Sequence, residues 1–443
     1  MISIRIVCLF FLSLAVASEA TDQPKINVRL KEGVSINDFV NSFRPVSNFY
    51  KTFSLPEETL DAFRVEGNRM SGRRLQSESL PDLNLWYSLE LLTDAVPEEA
   101  LAEAQANEYA EVAELVAVTP PPPPGLLREK NRRLQSSTPN FESNQGYLDP
   151  APNGIDARFA WTQAGGTGTG VKIYDIEYGW NLNHEDLGLG SVPVLVPAGQ
   201  TQQNPFSDNH GTAVLGEMVG TNNGNGVKGI AFNAAVGLAA EYSRERFSIR
   251  GEAILQAVNN GNRGDVILLE MQTGACNIGP CSGGSGCGPA EAEQTVFDAT
   301  VTATANGFIV VAAGGNGDVN LDQPACGGIF NRNIRDSGAI IVGAGQPPTS
   351  ALPRGKESFS SYGSRMDLQG WGNGIYSTGY GSVFQDPGNA ANEDRWYTSN
   401  FAGTSGASPI VAGAAALLQS YAKSKLNRVL TPAEVRNVRT FCK

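Results

Sequence analysis

Hydrophobic positions follow two different rhythms along this chain. Near the N-terminus they alternate: Lys25-Ile26-Asn27-Val28-Arg29-Leu30 has the period of two expected of a half-buried strand. Ser35 is placed to cap a helix running to Phe43, and Leu85 to Leu92 repeats the strand pattern. Pro97 to Asn107 reads as a helix and Val112 to Val118 as a closing strand. These elements predict a small α+β module. Five consecutive prolines, Pro120 to Pro124, then favour an extended spacer. A charged, polar stretch follows from Arg128 to Ser137, with the dibasic pair Arg132-Arg133, and its core is repeated at Arg73-Arg74-Leu75-Gln76-Ser77. Exposed dibasic pairs invite cleavage, although two merely solvated loops would look the same.

Beyond the linker the rhythm changes. Short β-rich runs at Val171 to Ile176, Val266 to Met271, Phe308 to Ala313 and Ala339 to Val342 are interspersed with helical composition at Gly251 to Asn260 and Pro289 to Asn306. This alternation predicts an α/β domain, a mostly parallel sheet with helices on both faces, whose functional groups gather at the carboxyl ends of the strands. Ile410 to Leu418 is apolar almost all round and predicts a helix buried through the domain. It is introduced by Gly403-Thr404-Ser405-Gly406-Ala407-Ser408-Pro409, with Pro409 expected in the first turn and the Ser405 hydroxyl at the positive end of the helix. Gly165 to Lys172 has the glycines of a phosphate loop but precedes a strand and lacks the Gly-Lys-Ser/Thr ending, so it reads as a turn.

Composition narrows the classes. The 443 residues, 41% hydrophobic and 18% charged, are enough for a large core plus a smaller domain. A net charge of -12 provides no basic stripe for nucleic acid. Arg5 followed by the apolar run Ile6 to Val16 and small residues up to Ala20 has the form of a secretory signal, too short to span a bilayer, and no other stretch suggests a membrane span. The predicted organisation is therefore a signal at 1–20, the α+β module at 21–119, a linker at 120–138 and the large domain at 139–443, in a secreted chain read as a monomer. Of six cysteines, Cys8 lies in the signal, leaving Cys276, Cys281, Cys287, Cys326 and Cys442. Three share one glycine-rich loop, and with only two histidines present disulfides are favoured over zinc. Their pairing stays open, and five is an odd number.

A serine hydroxyl needs a base, and imidazole suits neutral pH. His184 lies in the polar loop Asn183 to Leu187, where a surface role is expected. His210 opens an apolar helix in His210-Gly211-Thr212, mirroring the setting of Ser405, and is preferred as the base. Asp175, after Ile173-Tyr174, is expected at a strand end to orient His210, and Asn316 follows a glycine turn where its carboxamide can serve an oxyanion.

The order Asp175, His210, Asn316, Ser405, with His-Gly-Thr and Gly-Thr-Ser-x-Ala-Ser-Pro, resembles the subtilisin-like serine proteases, the subtilases, over about Ile155 to Val438. The resemblance implies an endopeptidase acting on polypeptides, with Ser405 as nucleophile, His210 as base, Asp175 as its partner and Asn316 in the oxyanion hole. It implies substrate contacts near Gln272, Thr273 and Gly274 and a primary pocket walled by Ala312, Ala313 and Gly314. The chemistry would need no cofactor. A structural calcium is implied at Asp186 and Asn223, with carbonyls of Thr221, Asn225 and Val227. The N-terminal module would be a pro-domain, chaperone and inhibitor of a zymogen cut between Pro124 and Gly146. Two departures stand out: Ile176-Glu177 follows Asp175 where a small residue and glycine are usual, and Ala213 replaces a usual histidine. A catalytically silent binding protein on the same fold is the alternative, and a serine esterase is disfavoured by the order of the residues.

Overall fold

The computed structural model describes residues 23–72, 79–117, 120–123, 125–126, 137–276, 278–282 and 284–437. The signal, both dibasic pairs and Cys442 lie outside the described residues. The N-terminal module comprises β1 (Lys25–Leu30), α1 (Ile36–Ser42), β2 (Val46–Lys51), α2 (Glu57–Ser71), β3 (Trp86–Leu91), α3 (Pro97–Ala106) and β4 (Ala110–Val116). Its sheet is antiparallel in the order β2-β3-β1-β4. The alternation in β1 buries Ile26, Val28 and Leu30 against Phe39 and Phe43 of the first helical segment. Ser35 caps α1 as expected, its hydroxyl accepting from the Asp38 N-H.

The other face of the module docks on the large domain. Trp86 is completely buried there, its indole N-H donating to Asp298 at 3.0 Å, and Phe53, Leu60 and Leu83 join the core on that side. Beyond it the chain forms the two-residue strand β5 (Gly125–Leu126) and the single turn α4 (Ala157–Ala160).

The large domain then alternates as its rhythm predicts. The main elements are β6 (Lys172–Glu177), β7 (Val194–Leu195), α5 (Asn209–Val219), β8 (Ala235–Ala240), the short pair β9 (Tyr242–Ser243) and β10 (Phe247–Ser248), and α6 (Arg250–Asn260). After these come β11 (Val266–Leu269), the hairpin β12 (Gln272–Gly274) and β13 (Cys287–Pro289), α7 (Gln294–Ala305), β14 (Ile309–Ala313), β15 (Ile340–Gly345) and β16 (Leu368–Trp371). The chain closes with β17 (Ile375–Thr378), β18 (Tyr397–Gly403), α8 (Thr404–Tyr421) and α9 (Pro432–Arg436). Seven strands make one parallel sheet in the order β16-β15-β14-β11-β6-β8-β7.

Side-chain alternation assigns the two faces of this sheet. Ile173, Val266 and Leu268 pack with α5 and α8, whereas Tyr174, Ile176, Ile267 and Leu269 pack with α6, α7 and the N-terminal module. By the same period of two, Asp175, Glu177 and Glu270 fall on the α5/α8 side. Three carboxyl groups thus stand under the helices that carry the histidine and the serine.

One local expectation is corrected. The segment before Ser405 is the strand β18, and α8 already begins at Thr404, so Pro409 lies inside the helix. Its missing N-H deprives the Ser405 carbonyl, four residues back, of its helical partner. The cysteines resolve as Cys276–Cys326 and Cys281–Cys287, pinning the β12–β13 hairpin to the loop after β14. No described helix is long and apolar enough to cross a membrane.

Candidate active site

His210 is the second residue of α5 and is buried, with its Nδ1 only 2.6 Å from Glu177 Oε2. This replaces the expectation for Asp175. Asp175 lies two residues earlier in β6, its Oδ2 accepting from the Trp180 indole at 2.8 Å, its Oδ1 without a partner. The physical reason is where the strand ends. Pairing with β8 continues through Glu177↔Ala240, so Glu177 stands at the carboxyl edge and Asp175 one step inside the sheet. A sequence signal for this existed: Glu177-Tyr178-Gly179 is itself an acid followed by a glycine two residues later.

Gly211 lets the start of α5 approach this edge. A Cβ there would lie 2.4 Å from the Gly179 carbonyl oxygen and 2.7 Å from Glu177 Cγ, so any side chain would push His210 off its partner. Phe401 packs edge-on to the imidazole at 5.5 Å, forming an apolar wall. Burial pushes the Glu177 carboxyl up to about 8 and the imidazole down to about 3. Both directions have one cause: the dry site disfavours charge on either partner.

Ser405 is the second residue of α8 and is fully buried, as α8 packs against β11, β14 and β15. Its Oγ and the His210 Nε2 are both buried without a hydrogen-bond partner. Asn316 follows β14 through Gly314-Gly315. Its Oδ1 accepts from the Thr404 N-H at 2.9 Å and the Thr404 hydroxyl at 3.0 Å, which fixes the carboxamide and ties it to the residue preceding Ser405. The Asn316 N-H donates to Gln272 Oε1 at 2.9 Å.

The linker crosses this site. Pro121 accepts from the Tyr178 hydroxyl at 2.5 Å and Pro122 from Gln272 Nε2 at 2.8 Å. β5 then pairs antiparallel with β18, Leu126 opposite Ala402 and Gly125 opposite Gly403, two residues before Ser405. Of the expected substrate-contacting residues, Gln272 holds the linker, and Thr273 and Gly274 pair with Gly288 and Cys287 of β13. Ala312 and Ala313 are buried inside the sheet, with the Gly314 N-H bonded to Val342.

His184 is not at the surface. It is buried, its Nε2 bonded to the Trp396 carbonyl at 2.8 Å and its Nδ1 accepting from the Asp186 N-H at 3.2 Å. The structure does bring Asp186 and Asn223 together, with Asp186 accepting from Thr221 Oγ1 at 2.8 Å, Asn223 Nδ2 at 2.9 Å and the Val227 N-H at 2.8 Å. Burial and the neighbouring Glu185 push the Asp186 carboxyl up to about 7. Asp186 is thus satisfied by three donors, so a hard cation here would need the Asn223 carboxamide turned to present its oxygen. No cluster of three or more His, Cys, Asp or Glu suited to a metal occurs among the described residues.

Residues 181–440 match the model of the subtilase family. The chain is 33% identical over 269 residues to the alkaline elastase YaB of Bacillus sp. (strain YaB), covering 60% of this chain and 58% of that protein. It is 31% identical over 257 residues to subtilisin BL of Lederbergia lenta, covering 57% of this chain and 77% of that one. The chain thus spans little more than half the length of the first of these relatives. Among solved structures, a cold-adapted subtilisin-like serine proteinase aligns with 25% identity and a TM-score of 0.42, over 61% of this chain and 81% of that chain.

Proposed function

Since the chain belongs to the subtilase family, we propose that it is a serine endopeptidase whose Ser405, His210 and Glu177 act as nucleophile, base and orienting acid. The observation that carries this is the 2.6 Å contact between His210 Nδ1 and Glu177, which leaves Nε2 buried, unpartnered and available to the serine. Ser405 attacks the peptide carbonyl as its proton passes to His210 Nε2. The C–N bond then breaks as that proton reaches the leaving amine, and water releases the acyl group by the reverse sequence. Glu177 does this as a carboxylate, the form that prevails above about pH 8, where it keeps the Nδ1–H tautomer and stabilises the imidazolium. An intact set of these groups favours an enzyme over a silent binding protein.

Asn316 Nδ2 and the Ser405 N-H at the start of α8 are the proposed donors to the oxyanion, since the Asn316 oxygen is already committed to Thr404. Asn316→Ala is expected to lower kcat by about 100- to 1,000-fold with little change in KM. A comparable rise in KM with kcat unchanged would assign Asn316 to ground-state binding instead.

The linker contacts support a zymogen. Pro121 and Pro122 bond Tyr178 and Gln272, and Gly125 and Leu126 pair with β18 beside the nucleophile, with the N-terminal module docked through Trp86 as the anchor. Secretion is the compartment that two disulfides suit. Polypeptides would enter where the strap lies, after it is cut. The test of the proposed activity is cleavage of an unfolded polypeptide by the processed chain and loss of cleavage in His210→Ala. Equal cleavage by both would exclude the assignment.

Calcium belongs to this proposal in a structural role only. It would be held by Asp186, by Asn223 with its carboxamide turned over, and by carbonyls of Thr221, Asn225 and Val227, and it supplies charge to a buried carboxyl group. Added calcium is then expected to raise Tm and a chelator to lower it. A Tm indifferent to both would remove the ion from the account.

A further inference from the structure

Glu270 takes no part in the mechanism above, yet it lies against the nucleophile. It follows β11, and its N-H bonds the Ile176 carbonyl at 3.2 Å, which sets it beside Glu177 at the same edge of the sheet. Its Oε1 accepts from the Ser408 hydroxyl at 2.5 Å, and Ser408 lies three residues after Ser405 on the same side of α8. Its Oε2 is buried without a partner, as is the Ser405 Oγ that it neighbours.

The surroundings of Glu270 are acidic on every side that carries a titratable group. Asp175 and Glu177 face it from β6, and Glu217, on α5, lies close enough to repel it and has both carboxyl oxygens buried without partners. From α8 come only the hydroxyls of Ser405 and Ser408, and β14 contributes only Ile309-Val310-Val311-Ala312-Ala313. Two basic groups act on this set: His210, engaged by Glu177, and Arg250, which lowers Glu177 and is itself bound to Glu241 at 2.8 Å. Like charges so close in a dry site cannot all ionise, and burial raises the Glu270 carboxyl well above its ordinary value. Burial and the neighbouring acids therefore both favour the protonated form of Glu270.

We propose that Glu270 is a positioning residue for Ser405: as a neutral carboxyl group it steadies the hydroxyl from the sheet side, and once ionised it competes with His210 for the Ser405 hydrogen and disarms the nucleophile. A neutral carboxyl group presents both a donor and an acceptor, so while it holds Ser408 through Oε1 its unpartnered Oε2 can still serve the Ser405 hydroxyl. A carboxylate can only accept, and it outcompetes a neutral imidazole nitrogen for a nearby O-H because charge-assisted hydrogen bonds are the stronger. The consequence is an alkaline limb in the pH profile that belongs to Glu270.

This inference rests on Ser405 being the nucleophile. The experiment measures the rate at which a neutral fluorophosphonate labels the processed protein as a function of pH, in wild type, Glu270→Gln and Glu270→Leu. Wild type should lose labelling rate on the alkaline side. Glu270→Gln, permanently neutral and of the same shape, should keep the neutral-pH rate and lack that fall. Glu270→Leu should be slower at every pH, with kcat rather than KM reduced in peptide cleavage. Ser408→Ala, which removes a hydrogen bond favouring the ionised form, should move the fall to higher pH and serves if the Glu270 variants do not fold. A wild-type alkaline limb retained in Glu270→Gln, or one unmoved in Ser408→Ala, overturns the proposal. Labelling that persists in Ser405→Ala would instead overturn the nucleophile assignment, so the two failures are distinguishable.

Discussion

Replacing Glu177 by glutamine should lower kcat by about 10,000-fold, the scale on which loss of the orienting acid acts in a serine triad. The carboxamide can still hydrogen-bond His210 Nδ1, but it can do so through its N-H, which stabilises the tautomer carrying hydrogen on Nε2. In that tautomer His210 cannot accept the serine proton. Asp175→Asn is the control on the neighbouring acid. Asp175 accepts from the Trp180 indole, and an asparagine oxygen would accept equally, so most activity should survive. Steady-state kinetics on the two folded variants separates the assignments. A large loss in Asp175→Asn with a small one in Glu177→Gln would return Asp175 to the orienting role.

The second large effect concerns maturation. Ser405→Ala is expected to accumulate as the uncut chain if the linker is cleaved by the protein's own site. The strap already runs antiparallel to β18 within two residues of Ser405, which makes cleavage within one molecule geometrically short. The size of the product on a denaturing gel, in wild type and variant expressed side by side, reads this out. Full processing of Ser405→Ala would place the cut in the hands of another protease, with the dibasic pair Arg132-Arg133 as the first site to test.

Much of the site was legible because its members sit at element boundaries that small residues mark. Gly211 after His210, the two glycines before Asn316 and the glycines flanking Ser405 announce close backbone approaches, and His210, Asn316 and Ser405 do lie at helix starts or a strand exit. The acid was misplaced by two residues for an equally physical reason. Asp175 and Glu177 share one face of one strand, so alternation cannot choose between them. The choice depends on how far β8 extends beside β6, which is a tertiary fact. Strands β2 and β8 and helix α2 also went unread. β8, Ala235-Val236-Gly237-Leu238-Ala239-Ala240, has a short apolar pattern that suits helix and strand alike, and its pairing with β6 decides it.

Long-range partners were the least readable. His184 looks like a loop histidine until Trp396, distant in sequence, supplies the carbonyl that receives its N-H. The path of the linker follows the same logic. Five prolines predict an extended segment, and nothing local says that its carbonyls will meet Tyr178 and Gln272. Proline retains its carbonyl acceptor but has no N-H to donate, so the strap is held through its oxygens by side-chain donors of the large domain. Glu270 is the clearest case of chemistry hidden from the sequence, since as the residue ending Leu268-Leu269 it reads as a polar stop to a buried strand. Only α8 laid across that strand end makes it a neighbour of the nucleophile.

The proposed chemistry depends on one hydroxyl, that of Ser405. The most direct measurement is labelling of the processed protein with a fluorophosphonate, followed by peptide mapping of the modified residue. The account predicts a single adduct on Ser405 in wild type, abolished in Ser405→Ala and strongly slowed in both His210→Ala and Glu177→Gln. An adduct on another residue, or labelling undiminished by these substitutions, would contradict it.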